Sequence, residues 1–190
     1  MNVRHLLAGL AFIFALPVAA HTLEPSVSSL SPHQYIDGFI HPFTSILHVV
    51  TWVAMGVLIS QFSSLKSKAL VIAGLLSFVF FAIQSSFISN EVSPMFPMLV
   101  GALFLAAMSV AMRSAGFGTF SQISAALAFL VIGASSFMHG AHVTSDAFAA
   151  GFLVAAVVML LAGERLGSIF SQEKLSIAMG LSGVLFVLIA

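Results

Sequence analysis

The chain has 190 residues, 60% of them hydrophobic and 6% charged, with a mean hydropathy of +1.15 and zero formal net charge. A soluble domain carries roughly 25% charged residues, so this chain cannot cover a globular surface in water and lipid is its expected solvent. The neutral balance excludes the electrostatic footprint of a nucleic-acid binder. The absence of cysteine excludes disulfides, thiolate metal sites and cysteine nucleophiles, and leaves soft metal ligation to nine Met and seven His.

In chain order, residues 1–20 read as a secretory signal peptide. Arg4 supplies the positive start, LLAGLAFIFAL is a short apolar run, and PVAA precedes the expected cut after Ala20. The alternative is a further membrane helix starting inside. The short run and the polar HTLEPSVSSLSPHQ after it favour cleavage, and with it export across a bacterial inner membrane. Six apolar runs follow, near 40–61, 68–89, 95–112, 119–138, 146–163 and 174–190. The breaks SSLKSK, SNEVSP, RSAGFG, HGAHVTSD and GERLGSIFSQEK punctuate them. A helix of about 20 residues crosses about 30 Å of hydrocarbon, and each span must close its own backbone hydrogen bonds there. The predicted fold class is therefore an all-α membrane protein, with six transmembrane helices in one domain over 21–190.

Charge sets the predicted orientation. With the mature N-terminus outside, the loops at 62–68, 113–118 and 164–174 are cytoplasmic and hold Lys66, Lys68, Arg113, Arg165 and Lys174, every Lys and Arg beyond the signal. Both mature termini are then periplasmic. His21, His33, His41, His48, His139 and His142 fall on the outer side or in the outer ends of helices, as do Glu24, Asp37, Glu91 and Asp146. Topological bias explains the basic residues but not the histidines, which are mostly neutral at pH 7.

Three segments carry candidate chemistry. In IDGFIHPFTSILHVV, Pro42 suits a first helical turn, where its missing N–H costs nothing. If the helix extends far enough back, Asp37, His41, Thr44 and His48 form a polar stripe. The seven residues from His41 to His48 rise about 10.5 Å on a straight helix, too far for one small ion. Either the backbone bends near Pro42 or the two imidazoles are successive stations. In FMHGAHVTSDAF, His139 and His142 lie three apart, Gly140 is placed to break the helix, and Asp146 can orient or join them. Imidazoles with a carboxylate suit Ni²⁺, Co²⁺ or Zn²⁺ over Mg²⁺ or Ca²⁺, and ionisable residues at membrane spans are functional candidates. Glu91 in SNEVSPMFP is a lone loop acid, read first as structural or solvating and second as a ligand.

Plainer roles compete with these. A lone interfacial histidine is usually a polar anchor, but four in two clusters at the outer helix ends outweigh that reading. His21 and His33 are read as solvated, although cleavage after Ala20 would let the His21 amine and imidazole capture a metal. Phe and Met are read as packing and lipid-facing material, and the small residues of GALFLAAMSVA and AGFLVAA allow close helix approach. Trp52 has no evident role.

These residues resemble the HupE/UreJ family of bacterial nickel and cobalt permeases over most of the chain, from an exported N-terminus ending in Ala-His through GFIHP to six spans. The family's first motif is His, five residues, Asp-His. His41 and His48 match, with Pro42, Thr44 and Gly56, while Leu47 stands at the Asp position. The second motif, roughly F-H-G-x-A-H-G-x-E, is approached by FMHGAHVTSD with its histidines one residue closer and Asp146 near the acid position. Glu91 resembles the family's acid before the third helix, and AGFLVAAVVMLLAGERLG the stretch after the second motif. The resemblance implies a divergent single-chain secondary carrier, with these His and acids as metal ligands.

The expected function is uptake of a divalent transition metal from the periplasm, Ni²⁺ or Co²⁺ first and Zn²⁺ or Cu as alternatives, with no tightly bound cofactor. His139, His142 and Asp146 capture the ion, and His41 and His48, with Asp37 or Glu91, accept it before helices rearrange. No Walker sequence is present, so ATP use by this chain is not expected. No carboxylate lies deep in a span, which favours potential-driven entry. A second copy or metalloenzyme-maturation proteins stand open as partners. The rival is a non-transporting membrane subunit or accessory protein binding copper, haem or a partner through the same histidines. Haem wants histidines at matched depth on facing helices, and only His48 lies clearly within a span. No Ser-His-acid or H-E-x-x-H pattern suggests an enzyme.

Overall fold

The computed structural model describes residues 32–84, 95–140 and 146–190, which form helices joined by short connections, with no strand among them. The expected signal at 1–20 and the candidate ligands Glu91 and His142 lie outside the described residues. The helices are α1 (Pro32–Ile40), then a 3-10 turn (His41–Thr44), α2 (Ile46–Ser60), α3 (Leu65–Gln84), α4 (Met95–Ser114), α5 (Gly118–Gly140), α6 (Asp146–Ile169) and α7 (Gln172–Ile189). Four stretches, Met95–Ser114, Gly118–Ser136, Ala147–Ile169 and Gln172–Ile189, are long and apolar enough to cross a membrane.

The first apolar run is not the single helix expected over 40–61. α1 ends at Ile40, the chain tightens into the 3-10 turn, and Ser45 is extended (φ −123°, ψ 116°) before α2 begins. The two arms meet at 86° and qualify as a span only as a bent pair. Pro42 has no N–H to give and disfavours helical backbone before it. The Thr44 hydroxyl then donates to the His41 carbonyl at 2.7 Å, holding the tight turn. The polar stripe from Asp37 to His48 therefore does not form: Asp37 stays on α1, exposed.

α2 is the central helix. It packs on α6 and α4 and touches α3, α5 and α7, and ten of its fifteen residues are buried. A helix apolar all round belongs inside. α7, with three buried residues of eighteen, is peripheral. Glycines set the closest approaches. A Cβ on Gly56 would overlap the Leu160 carbonyl oxygen of α6, and one on Gly163 the Val53 carbonyl oxygen of α2. Gly38 and Gly151 bring α1 equally close to the start of α6. α4 and α5 form a hairpin closed by Gly116 at φ 87°, which only glycine adopts readily. Phe117 N–H donates to the Met112 carbonyl (2.8 Å) and Gly116 N–H to that of Arg113 (3.1 Å), the Schellman pattern. Across the hairpin Ser109 Oγ donates to the Ser121 carbonyl (2.8 Å) and Ser124 Oγ to that of Leu105 (2.7 Å).

The connections after α2, α4 and α6 gather at one end of the bundle. Ser121 Oγ reaches Gln61 Oε1 at 3.4 Å, and Lys68 pairs with Glu164. Lys66, Lys68, Arg113, Arg165 and Lys174 all fall at or beside these connections. Glu164 and Arg165 are not in the expected loop, because α6 runs on to Ile169. Gly163 and Gly167 do not break it, since both are pressed against α2, on Val53 and Ser60.

Candidate metal-binding site

The break before α2 determines what its two histidines can do. The straight-helix separation of about 10.5 Å collapses, and the His41 and His48 ring centroids lie 6.0 Å apart, edge to face, with planes at 64°. Imidazole binds a transition metal at about 2.0–2.1 Å, which puts the centroids of two rings sharing an ion roughly 5–6 Å apart. The separation suits one shared ion. Of the two outcomes that the spacing left open, bend or successive stations, the backbone takes the bend.

The pair sits in an aromatic wall. His41 lies edge-on to Phe148 at 5.4 Å and 6.4 Å from Phe152, both on α6, and Phe152 meets Trp52 at 5.9 Å. Phe39 and Phe43 meet across the bend, their ring centroids 5.5 Å apart and their planes tilted by 54°. His48 is 4% exposed and His41 half-buried, so His41 is nearer the mouth. Such walls strengthen any electrostatic contact made between them. Sequence reading missed Phe148, Phe152 and Trp52. A signal existed for each: Trp52 lies four residues after His48, and the two phenylalanines are four apart just beyond Asp146.

The other candidates are placed less completely. Asp146 begins α6, two residues before the phenylalanine that touches His41, so its backbone belongs to this end. His139 lies in the last turn of α5, at the same end of the bundle. It arrives from another side, because α5 packs on α4 and α3 while α6 is held by α1 and α2. Among the described residues no three His, Asp or Glu side chains gather to enclose one ion. His33 is exposed on α1 with Asp37. Leu47, where the resemblance places an acid, is 6% exposed and packed into the core. An ionised carboxylate turned the same way would be buried, at a large desolvation cost.

Comparison of the chain with protein families, curated proteins and solved structures finds no match.

Proposed function

We propose that this protein is a permease of the bacterial inner membrane that takes up a divalent transition metal, Ni²⁺ or Co²⁺ first, from the periplasm. The observation that carries the reading is the 86° break that draws His41 and His48, seven residues apart, to a ring separation of 6.0 Å within a mostly buried aromatic wall. In this reading residues 1–20 are cleaved. The mature chain crosses six times, with the bent pair and α3 completing the four apolar helices. The Lys and Arg end faces the cytoplasm, as the positive-inside bias requires.

Ions gather at the periplasmic mouth, with Asp37, Glu91, His139, His142 and Asp146 as the candidate donors there. His41 and His48 take the ion next. Imidazole donors favour a borderline cation over Mg²⁺ or Ca²⁺. With Leu47 in place of an acid, this segment brings one negative charge fewer, and the membrane potential supplies the inward pull.

Uptake of Co²⁺ and Ni²⁺ into proteoliposomes holding a metal-sensitive dye tests this directly. His48→Ala should lower uptake by about tenfold or more, with the protein still folded. Uptake unchanged by His48→Ala overturns the site. A Soret band in the purified wild-type protein would turn the reading to a haem-binding accessory subunit.

A further inference from the structure

Thr51 lies three residues beyond His48 on α2, a rise of about 4.5 Å on nearly the same face. It is 0% exposed, and its hydroxyl has no hydrogen-bond partner. That is unusual for this protein. Ser60, Ser135, Ser136, Ser168 and Ser182 all donate to a carbonyl three or four residues earlier on their own helix. Such back-bonding is the default for a hydroxyl inside a helix, and it satisfies the group where water is absent. Thr51 does not take it, although the burial is complete.

Beyond Thr51 the helix turns apolar. No Ser, Thr or charged side chain occurs on α2 between it and Ser60. Met55, Leu58 and Ile59 are fully buried there, and Gly56 meets Gly163 of α6 backbone to backbone. Thr51 is thus the last hydroxyl before a seal, directly after the histidine pair. A hydroxyl offers two lone pairs and one proton, so it can ligate a cation or hold a water carried on one.

Resting on the permease reading above, we infer that the Thr51 hydroxyl is the third donor of the His41–His48 site, meeting the ion or its bound water at the inner edge before the seal opens. The ligand class is a partly hydrated divalent transition-metal cation. Thr51 then adds one neutral oxygen to the two imidazole nitrogens.

The test is Co²⁺ influx into proteoliposomes by wild type, Thr51→Val, Thr51→Ser and His48→Ala, with thermal unfolding of each. Valine keeps the shape and removes the hydroxyl. Thr51→Val should lower the maximal rate by about tenfold and unfold at the wild-type temperature or above. Thr51→Ser should stay within about twofold of wild type in rate. If Thr51→Val fails to fold, Thr51→Ala against Thr51→Ser makes the same comparison. Equal losses in the valine and serine variants mean packing and overturn the inference. Wild-type rates in Thr51→Val alongside a defective His48→Ala overturn it while the permease reading stands. Wild-type rates in both, or no influx by wild type, bring down the reading and the inference together.

Discussion

At its N-terminal end α2 begins after an extended residue and an 86° break, with two imidazoles, a lone hydroxyl and an aromatic wall around them. At its C-terminal end it lies against α6 with glycine opposite glycine, beside the Lys68–Glu164 ion pair and a set of serine hydrogen bonds. One helix therefore carries a polar end with its backbone interrupted and an apolar end with its backbone pressed on a neighbour. The first arrangement positions donors; the second excludes whatever would pass. Under the proposed uptake, an ion entering at the first end would meet a closed interface at the second. Passage would then require α2 and α6 to separate there, so the comparison turns on that contact.

The largest effect should come from filling it. In Gly163→Leu the new side chain begins at an overlap with the Val53 carbonyl oxygen, which belongs to backbone and cannot swing aside. Overpacking of this kind costs about 3 kcal/mol or more where backbone must move. The variant should accumulate poorly and unfold at a much lower temperature in detergent. Wild-type stability would mean that the two helices are not held together at this point, and the contrast between the ends of α2 would lose its basis.

Much of this was legible from residues alone. Helix type followed from apolar runs in lipid, and α4, α5 and α7 begin and end within two residues of the expected spans. The segregation of Lys and Arg survives as one end of the bundle. The start of the first run was harder. Pro42 warned of a bend, but its size depends on Ser45 turning extended and on α1 docking through Gly38 onto α6, a contact a hundred residues away in sequence. The aromatic wall was missed for the same reason, since Phe148 and Phe152 reach His41 only once α6 is in place. Thr51 was not singled out in the sequence, because an unpartnered hydroxyl is a property of the folded helix and leaves no mark on composition. Leu47 stood out as a departure from the resembled pattern, and its burial in the core gives that departure a packing reason.

A smaller effect should follow from the ion pair at the sealed end. Lys68 and Glu164 tie the start of α3 to α6, each about a quarter exposed. Pairs that solvent can reach are worth about 0.5–1 kcal/mol. A double-mutant cycle with Lys68→Met and Glu164→Gln, read by thermal unfolding, should return a coupling in that range and shrink with added salt. A coupling several times larger would make the pair a principal clamp of the seal and shift weight away from the glycines.

The smallest effect sharpens the contrast by leaving both ends alone. Gly74 lies in mid-α3, facing an open apolar groove lined by Val71, Leu75, Phe78, Ala126 and Phe129, and a Cβ placed on it meets nothing within 4 Å. Glycine inside a helix gives up more backbone freedom on folding than alanine, a difference of about 0.5–1 kcal/mol. Gly74→Ala should therefore raise the unfolding temperature slightly and leave Co²⁺ influx as it was. Gly133→Ala, on the neighbouring α5, is the matched control: there the Cβ would run into the Phe78 ring, a side chain that must shift to admit it. A gain at Gly74 with a loss at Gly133 would show that glycine is kept in this bundle where helices touch and is dispensable where they part. A loss at Gly74 would mean instead that α3 and α5 close on each other in some state of the protein.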